Sequence, residues 1–419
     1  MADSATNAST ADGYIAARKS ELAAALTRAC GDGSSALGDV FRLLDALLHH
    51  QAHTRLEQLK ALYDPLDPDA PAPRRDVSPA AFEAFEGALV EALQRANFTE
   101  IEADNVQTLA ATKQLTGLAI KPSHDGIRRV RFFARGIRPE RVVVRELFGL
   151  RQRGVDTEMM SDVVVLVGFK GDEELSRDDR KAFARMRRGV RPGAALVKHF
   201  RNVASPELVT LHPGARPSML RRDQVFIAAP AVAAGVPVAL NLWPALTVLF
   251  AVLAAYFGAR GAIEESDLKR ALAAVSGLVA VGAFVMRQRL KYEAQTLRYQ
   301  KQLADTVYFR NIANNTGVID LLIGAGEDQD AKEAMVAYAL LAKSDHPMGK
   351  GELDMAAEDF IRTQLGLDLN FEIGDALAKL ERLNLVRSVD GNYSAVPPRE
   401  ALTLLDAAWD NVFNFSARR

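Results

Sequence analysis

The sequence has one cysteine, Cys30, among 419 residues, so it cannot form an internal disulfide. A lone thiol in an Ala/Leu-rich helical pattern is typical of a structural cysteine in a reducing compartment. The nucleotide-binding, zinc-protease, serine-hydrolase and paired-cysteine motifs GxxxxGK[ST], GxGxxG, HExxH, GxSxG and CxxC are also absent. We therefore predict no enzyme activity and assign no catalytic residue, no cofactor site and no metal site.

The first residues, MADSATNASTAD, lack the basic and apolar regions of a secretory signal, and residues 1–13 are predicted to form a disordered tail. The whole chain is 48% hydrophobic and 25% charged, which is typical of folded protein. Its length suits two or three domains.

Charge is missing from two long stretches. No charged residue lies between Asp223 and Arg260, and none lies between Arg270 and Arg287. A bilayer core takes roughly 20 apolar helical residues to cross. Residues 237–258 and 268–286 meet that length if Lys269 and Arg270 reach the interface. The sequence thus predicts a two-helix transmembrane hairpin within residues 223–290, and a buried helical hairpin in a soluble protein remains the alternative.

Small residues at a spacing of four indicate close helix packing in that hairpin. The pairs are Ala273 with Gly277 and Ser276 with Ala280. The flanks of the two spans carry seven basic residues and the connecting loop three, which places both termini on the cytoplasmic side of a bacterial inner membrane or an organellar membrane. The candidate lipid-surface contacts are Arg216, Arg221, Arg222, Arg287, Arg289 and Lys291.

The region from Lys121 to Arg222 is strongly basic, with 23 Lys or Arg and 12 Asp or Glu. Such a region next to a membrane span favours contact with anionic lipids, and an ordinary solvated surface is the alternative. Phe132 and Phe133 stand among its arginines, but no nucleic-acid motif surrounds them. We predict a lipid bilayer as partner, with anionic lipids as the favoured contacts, and no nucleic acid.

Residues 14–222 are predicted to form an α+β domain with a mostly antiparallel sheet. Helical spacing covers Tyr14 to Tyr63 with a break at Gly31–Ser35, and Ser78-Pro79 marks the start of a helix over residues 80–97. A further helix is predicted at residues 176–188. Alternating apolar runs predict strands at residues 128–136, 141–149, 162–170, 194–203 and 207–213.

Histidines offer the remaining candidates for chemistry. His49 and His53 share a helix face at the spacing of a metal pair, with His50 beside them. No third ligand can be named, so we prefer a polar helix face and leave metal binding open. His124 with Asp125, and His199, are interpreted as surface or structural histidines.

Residues 291–419 are predicted to form an acidic, helical, winged-helix-like domain. A helix continues from Leu268 to Phe309, residues 311–317 interrupt it, and the next helix breaks near Gly324–Gly326. Residues 332–396 then have the order of a winged helix, three helices and a hairpin turning at Asp390-Gly391. That segment has 7 basic and 11 acidic residues, so it repels phosphate and favours a protein partner. The final helix ends in Trp409, Phe413 and Phe415, which we expect to dock on the domain core.

Several of these segments are similar to an uncharacterised family typified by transmembrane protein 143. The resemblance covers about residues 77–415 and rests on RYQKQLADTVYFRNIANNTGVIDLLIGAGEDQDAKEAMVAYALL, LDMAAEDFI, FEIGDALAKLERLNLV and LLDAAWDNVFNF, with FFARG and LVKHFRNVASPELVTLHPGARPSMLRRDQ upstream. It implies two membrane spans and a family without an assigned reaction, some of whose members are mitochondrial.

Three functions follow as hypotheses. We prefer a membrane-anchored scaffold or regulatory protein that recruits an unknown protein partner through its C-terminal domain. The alternatives are an oligomeric transport or channel component, for which a homo-oligomer is left open, and a membrane-tethered enzyme of unknown class.

Overall fold

The computed structural model describes residues 13–31, 35–70, 78–102, 119–121, 126–146, 151–186, 190–213, 215–218, 247, 250, 253–254, 257–258 and 265–413. The chain divides into two compact units. The first combines residues 1–108, 124–214 and 310–419, and the second combines residues 109–123 and 215–309. The first unit thus unites the N-terminal α+β region with the C-terminal winged-helix-like region.

The described helices are, in chain order, α1 (Lys19–Ala29), α2 (Ser35–Tyr63), α3 (Pro79–Arg95), α4 (Arg177–Met186), α5 (Glu265–Arg310), α6 (Thr316–Lys343), α7 (Lys350–Leu365), α8 (Ile373–Arg382) and α9 (Pro398–Asp410). The described strands are β1 (Thr99–Ile101), β2 (Ala119–Lys121), β3 (Ile127–Glu146), β4 (Arg151–Phe169), β5 (Ala195–Ala204), β6 (Arg216–Ser218), β7 (Asn311–Asn314), β8 (Met348–Gly349), β9 (Val386–Val389) and β10 (Asn392–Ala395).

The helix signals of the N-terminal region are confirmed. α1 ends before Gly31, whose φ of 81° lies in the left-handed region that ends helices. Ser78 caps α3, because its hydroxyl accepts a hydrogen bond from the N–H of Ala81 at 3.2 Å, and Pro79 opens the helix.

The first unit contains a five-stranded antiparallel sheet in the order β1-β3-β4-β5-β7. The predicted strands at residues 128–136 and 141–149 are one strand, β3, which pairs with β4 along almost its whole length. Strand β7 pairs with β5, bringing Ala313 opposite His199 although more than a hundred residues separate them in the chain. This pairing returns the chain to the first unit.

The predicted strand at residues 207–213 is wrong. The segment Ser205–Leu211 is a 3₁₀ helix that begins with Pro206 near its start. The carboxylate of Glu207 accepts the N–H of Ala204 at 3.2 Å, which satisfies a free donor at the start of the turn. A local cap and a proline therefore outweigh the alternating apolar pattern.

Two apolar cores meet along α2 and α6. In one, the apolar face of α3 packs on the sheet, with Phe82, Phe85 and Leu89 facing Phe133 and Leu166. In the other, α1 and the first half of α2 pack with the second half of α6 and with α7, α8 and α9. Because α2 and α6 contribute to both cores, they join the sheet and the winged-helix-like segment into one unit.

Helix α6 does not break at Gly324–Gly326, contrary to prediction. It runs for 28 residues and is buried along most of its length. A Cβ on Gly326 would lie 3.6 Å from Arg95 and 3.7 Å from Ala96, so the glycine lies beside the end of α3. Burial on several sides keeps the helix continuous despite the low helix propensity of glycine.

The second unit contains most of α5, which has 46 residues and ends at Arg310, and an antiparallel pair of β2 with β6. The prediction of an unbroken helix through residues 268–309 is confirmed.

The predicted transmembrane hairpin is corrected. Within the part of the chain that the structure describes, no helix combines the length and the apolar character that a membrane span needs. The predicted second span is part of α5, where only 16 residues lie between Arg270 and Arg287, fewer than the roughly 20 that a bilayer core requires. The predicted first span, residues 237–258, lies almost entirely outside the described residues. The predicted membrane location and two-span topology conflict with the same finding and are likewise corrected.

The expected docking of the C-terminal aromatic cluster is also wrong for the two residues that are described. Trp409 is 44% exposed and Phe413 is 66% exposed. The ring of Phe413 makes an edge contact with His50 at 5.2 Å, whereas Ala401 and Leu405 carry the buried face of α9. Phe415 lies outside the described residues.

Candidate functional site

The winged-helix-like segment consists of α6, α7 and α8 with a small sheet in the order β8-β10-β9. Its strands are antiparallel, with Tyr393 of β10 opposite Met348 on one side and Ser388 on the other. The turn between β9 and β10 places Asp390 at a φ of 52° and Gly391 at a φ of 79°, the pair of positive angles that a type I′ turn requires. The predicted hairpin turn is confirmed.

Helix α8 occupies the position of the recognition helix in a winged helix. Its apolar residues Ile373, Leu377 and Leu380 are buried in the core that α6 and α7 share. The opposite side of α8 is exposed and carries Asp375, Glu381 and Arg382, two acidic side chains and one basic side chain. The helix therefore presents an acidic rather than a basic side to solvent.

The lysine of α8 points into the protein. The ammonium of Lys379 lies 2.7 Å from Asp330 and 3.3 Å from Glu333, and its side chain is 5% exposed. A third carboxylate, that of Asp375, lies 3.5 Å away. Lys379 is thus neutralised inside the fold and is not available to bind a phosphate from solvent.

The described surface of residues 350–396 has an excess of acidic side chains. Four basic side chains are exposed there, Lys350, Arg362, Arg382 and Arg387, against seven acidic ones, Glu352, Asp359, Asp368, Glu372, Asp375, Glu381 and Asp390. We call Glu372, Asp375 and Glu381, which lie on or next to α8, the acidic face. Two exposed apolar side chains, Met355 at 66% and Val389 at 68%, belong to the same segment.

Burial and neighbouring charges shift the pKa values of Glu333 and Lys379. Burial raises the pKa of Glu333 to about 7, which Lys379 opposes and Asp330 reinforces. Burial alone would lower the pKa of Lys379, but the carboxylates of Glu333 and Asp330 raise it. Lys379 therefore stays charged beside the two carboxylates.

A second cluster of buried charges surrounds Asp162, a residue of β4 in the five-stranded sheet. Its carboxylate binds His199 Nε2 at 3.0 Å, Arg201 Nε at 3.2 Å and Arg135 Nη2 at 2.9 Å. The guanidinium of Arg135 stacks between Tyr14 and Phe98 at 4.4 and 4.7 Å from the ring centres. Although burial opposes ionisation, the hydrogen bond from His199 and the charge of Arg135 hold the pKa of Asp162 well below its usual range.

The arrangement around His199 resembles a structural ion cluster more than a catalytic dyad. The side chain is 5% exposed, and its Nδ1 has no hydrogen-bond partner among the described residues. No hydroxyl or thiol within that part of the chain bonds to the imidazole, so a nucleophile for the base to activate is not seen there. His124 and Asp125 lie outside the described residues.

A cavity of about 750 Å³ opens between α1, α2 and α6. Its lining includes the apolar Phe41 and Met335 and several small residues of α1. Lys19 binds Asp45 at 2.5 Å and Lys332 binds Asp328 at 2.5 Å. Arg18 and Arg42 also line the cavity, so basic side chains are in excess there.

The predicted face with His49 and His53 is present on α2. His49 bonds to Glu327 at 2.9 Å, and His53 is exposed. No group of three or more His, Cys, Asp or Glu side chains that could hold a metal ion occurs in the described part of the chain. Cys30 is half-buried with its sulfur 3.7 Å from the carbonyl of Ala339, and burial raises its pKa.

The predicted lipid-surface and helix-packing residues lie in the second unit or outside the described residues. Arg287, Arg289 and Lys291 are exposed on α5, and Arg289 pairs with Glu293 at 3.0 Å. Arg216 lies in β6, whereas Arg221 and Arg222 fall outside the described residues. Ala273 lies in α5, and Ser276, Gly277 and Ala280 are exposed on the same helix. A Cβ on Gly277 would meet nothing within 4 Å.

The sequence analysis did not identify the residues at the centres of the two buried charge clusters. Asp162, Glu333 and Lys379 are ordinary charged residues in the sequence, and only the pairing of distant elements makes them neighbours. A usable signal was present at Lys379, which falls among the apolar positions of an amphipathic helix.

Fold and surface together define an α+β protein that carries a winged-helix-like segment with an acidic exposed side. A DUF3754 domain, a domain of unknown function, is found at residues 160–317, which is less than half of the chain. This match ends at the start of α6 and shows no link to the transmembrane protein 143 family. No solved structure matches the chain.

Proposed function

We propose that this chain is a scaffold or regulatory protein that recruits a protein partner through the acidic face. The observation that carries the proposal is the orientation of α8, which turns Lys379 inward and leaves Asp375 and Glu381 in solvent. An exposed helix face without a free lysine attracts a basic surface and repels a polyanion.

The chemistry of the partner follows from the same surface. The segment exposes carboxylates and also the apolar side chains of Met355 and Val389, which suits a partner segment that combines Lys or Arg with apolar residues. Nucleic acid is the less favourable ligand, because binding it requires cations that neutralise phosphates, and α8 offers only Arg382 to solvent.

Proximity labelling in cells with the full chain tests the proposal. The test variant neutralises the acidic face with Glu372→Gln, Asp375→Asn and Glu381→Gln. The matched control neutralises three exposed acids elsewhere, Glu57→Gln, Glu83→Gln and Glu173→Gln. We expect the test variant to lose a defined set of labelled proteins that the wild type and the control both retain.

An unchanged set of labelled proteins in the test variant would contradict the proposal, provided that circular dichroism shows the variant to be folded. Loss of the same proteins in both variants would show that general surface charge, and not the acidic face, governs the contacts.

A further inference from the structure

The cavity between α1, α2 and α6 combines an apolar part with charged groups. Its volume of about 750 Å³ lies within the range of small-molecule sites, roughly 300–1,000 Å³. Phe41 of α2 and Met335 of α6 supply its large apolar side chains. Four alanines of α1 and of the segment before it also line the cavity, Ala16, Ala17, Ala23 and Ala24. Their short side chains leave room for the apolar body of a ligand.

The two lysines of the lining are neutralised by carboxylates. Lys19 binds Asp45 at 2.5 Å, and Glu327 approaches the same ammonium at 3.8 Å. Lys332 binds Asp328 at 2.5 Å. Both acidic residues of the lining are used in these pairs, so a cationic ligand finds no free carboxylate in the cavity.

The two arginines of the lining differ in their partners. Arg42 pairs with Asp39, one turn away on α2, at 2.6 Å. Arg18, at the start of α1, binds no carboxylate among the residues that the structure describes. The hydroxyl of Tyr14, which also lines the cavity, donates no hydrogen bond within that part of the chain. The lining therefore offers one cation without a counter-ion and one hydroxyl that is free to donate.

We propose that this cavity binds an amphipathic carboxylate, an organic monoanion with an apolar body of the kind that fatty acids represent. The apolar body lies against Phe41, Met335 and the alanines, and the carboxylate accepts hydrogen bonds from Arg18. One negative charge matches the one cation that lacks a counter-ion. The proposal does not depend on the acidic face, because none of its residues lines the cavity.

Isothermal titration calorimetry of the full chain with decanoate tests the proposal. Decan-1-ol and decyltrimethylammonium carry the same apolar chain with a neutral and a positive head group. We expect one decanoate to bind per chain, about tenfold more tightly than either of the other two probes, because a hydrogen-bonded charge pair contributes roughly 1.5–3 kcal/mol.

Gly38→Leu tests the location of the site. Gly38 lines the cavity, and a Cβ there would meet nothing within 4 Å, so a leucine at this position occupies cavity volume without a clash at its Cβ. A Cβ on Gly87 of α3 would also meet nothing within 4 Å, and Gly87→Leu is the matched control outside the lining. Both changes replace a glycine within a helix by a better helix former. We expect Gly38→Leu to bind decanoate about tenfold more weakly, and Gly87→Leu to bind it like the wild type.

Arg18→Gln tests the head group and keeps the proposal testable if Gly38→Leu does not fold. Its side chain is exposed and has no ion pair in the described part of the chain, so the fold does not depend on it. This variant should bind decanoate about tenfold more weakly and decan-1-ol as the wild type does. Arg28→Gln, at an exposed arginine near the other end of α1, is the control and should change neither affinity.

No measurable binding of decanoate to the wild type would overturn the proposal. Equal affinities of the wild type and a folded Gly38→Leu variant would overturn the location. Binding of decan-1-ol as tight as that of decanoate, or an Arg18→Gln variant that binds decanoate like the wild type, would overturn the carboxylate as the ligand group. The labelling experiment uses different residues, so failure of either proposal leaves the other standing.

Discussion

The ammonium of Lys379 lies 2.7 Å from the carboxylate of Asp330 in the core between α8 and α6, where their side chains are 5% and 3% exposed. Replacing Lys379 with Ala removes the ammonium from the buried Asp330 and Glu333 and leaves Arg55, 3.5 Å from Asp330, as the remaining cation. We expect a loss of about 3–5 kcal/mol in the free energy of unfolding, measured by urea denaturation. Lys350→Ala, at an exposed lysine of the same segment, should change it by less than about 0.5 kcal/mol. A loss below about 1 kcal/mol for Lys379→Ala would speak against a stabilising role of the buried pair.

Asp162 should make stability depend on acid pH. Its pKa is lowered in the folded protein, so the ionised carboxylate stabilises the fold above its unfolded pKa of about 4, and this stabilisation is lost as the pH falls below that value. Asp162→Asn should therefore cost about 3–5 kcal/mol at pH 7, and this cost should shrink progressively as the pH falls below about 4 towards the lowered pKa of the folded state.

Urea denaturation of the wild type and Asp162→Asn at several pH values checks the Asp162 prediction. The exposed Asp172→Asn is the control and should track the wild type throughout. A difference between wild type and Asp162→Asn that is equal at pH 3 and pH 7 would be incompatible with the charge explanation.

Gly168 is needed for close packing and not for a turn. A Cβ at this residue of β4 would lie 2.5 Å from the ring of Phe82, so α3 can approach the sheet only because the side chain is absent. Gly168→Ala should cost about 1–3 kcal/mol through overpacking, and adding Phe82→Leu should recover part of the loss. A double-mutant cycle on thermal unfolding measures the recovery, and strictly additive losses would argue that the two sites do not touch.

The acidic face predicts how the protein responds to DNA. Helix α8 of the wild type should contribute little to the binding of a 20-base-pair duplex near physiological salt, because Arg382 is its one exposed cation. Reversing the face with Glu372→Lys, Asp375→Lys and Glu381→Lys should create salt-sensitive binding. Fluorescence anisotropy measures both. The control for general charge replaces Glu57, Glu83 and Glu173 with Lys. An equal gain in DNA binding by this control would show that the position of the lysines on α8 does not matter.

Patterns that act over a few residues predicted their structures well. Ser78 before Pro79 marked the start of α3, and Asp390-Gly391 marked the turn between β9 and β10. Each depends on the φ and ψ preferences or hydrogen bonds of adjacent residues, which the sequence contains in full.

Patterns that depend on what a segment packs against predicted their structures less well. The apolar residues of α5 suggested a membrane span, and the alternation at residues 207–213 suggested a strand. Both predictions were based on counts of apolar residues. The local cap at Glu207 disfavours the strand, and the number of residues between Arg270 and Arg287 is too small for the membrane span. Gly324 and Gly326 predicted a break because the burial of α6 on several sides is invisible in the sequence.

The order of amino acids was enough to predict the helices, half of the described strands and the excess of acidic residues in the C-terminal region, because propensity, capping and charge are properties of neighbouring residues. The folded chain was needed to show that β7 returns to pair with β5, that Asp162 meets His199, and that Lys379 faces Glu333. Those contacts join residues far apart in the chain, and burial, which sets their energies and their pKa values, exists only once the distant elements have packed together.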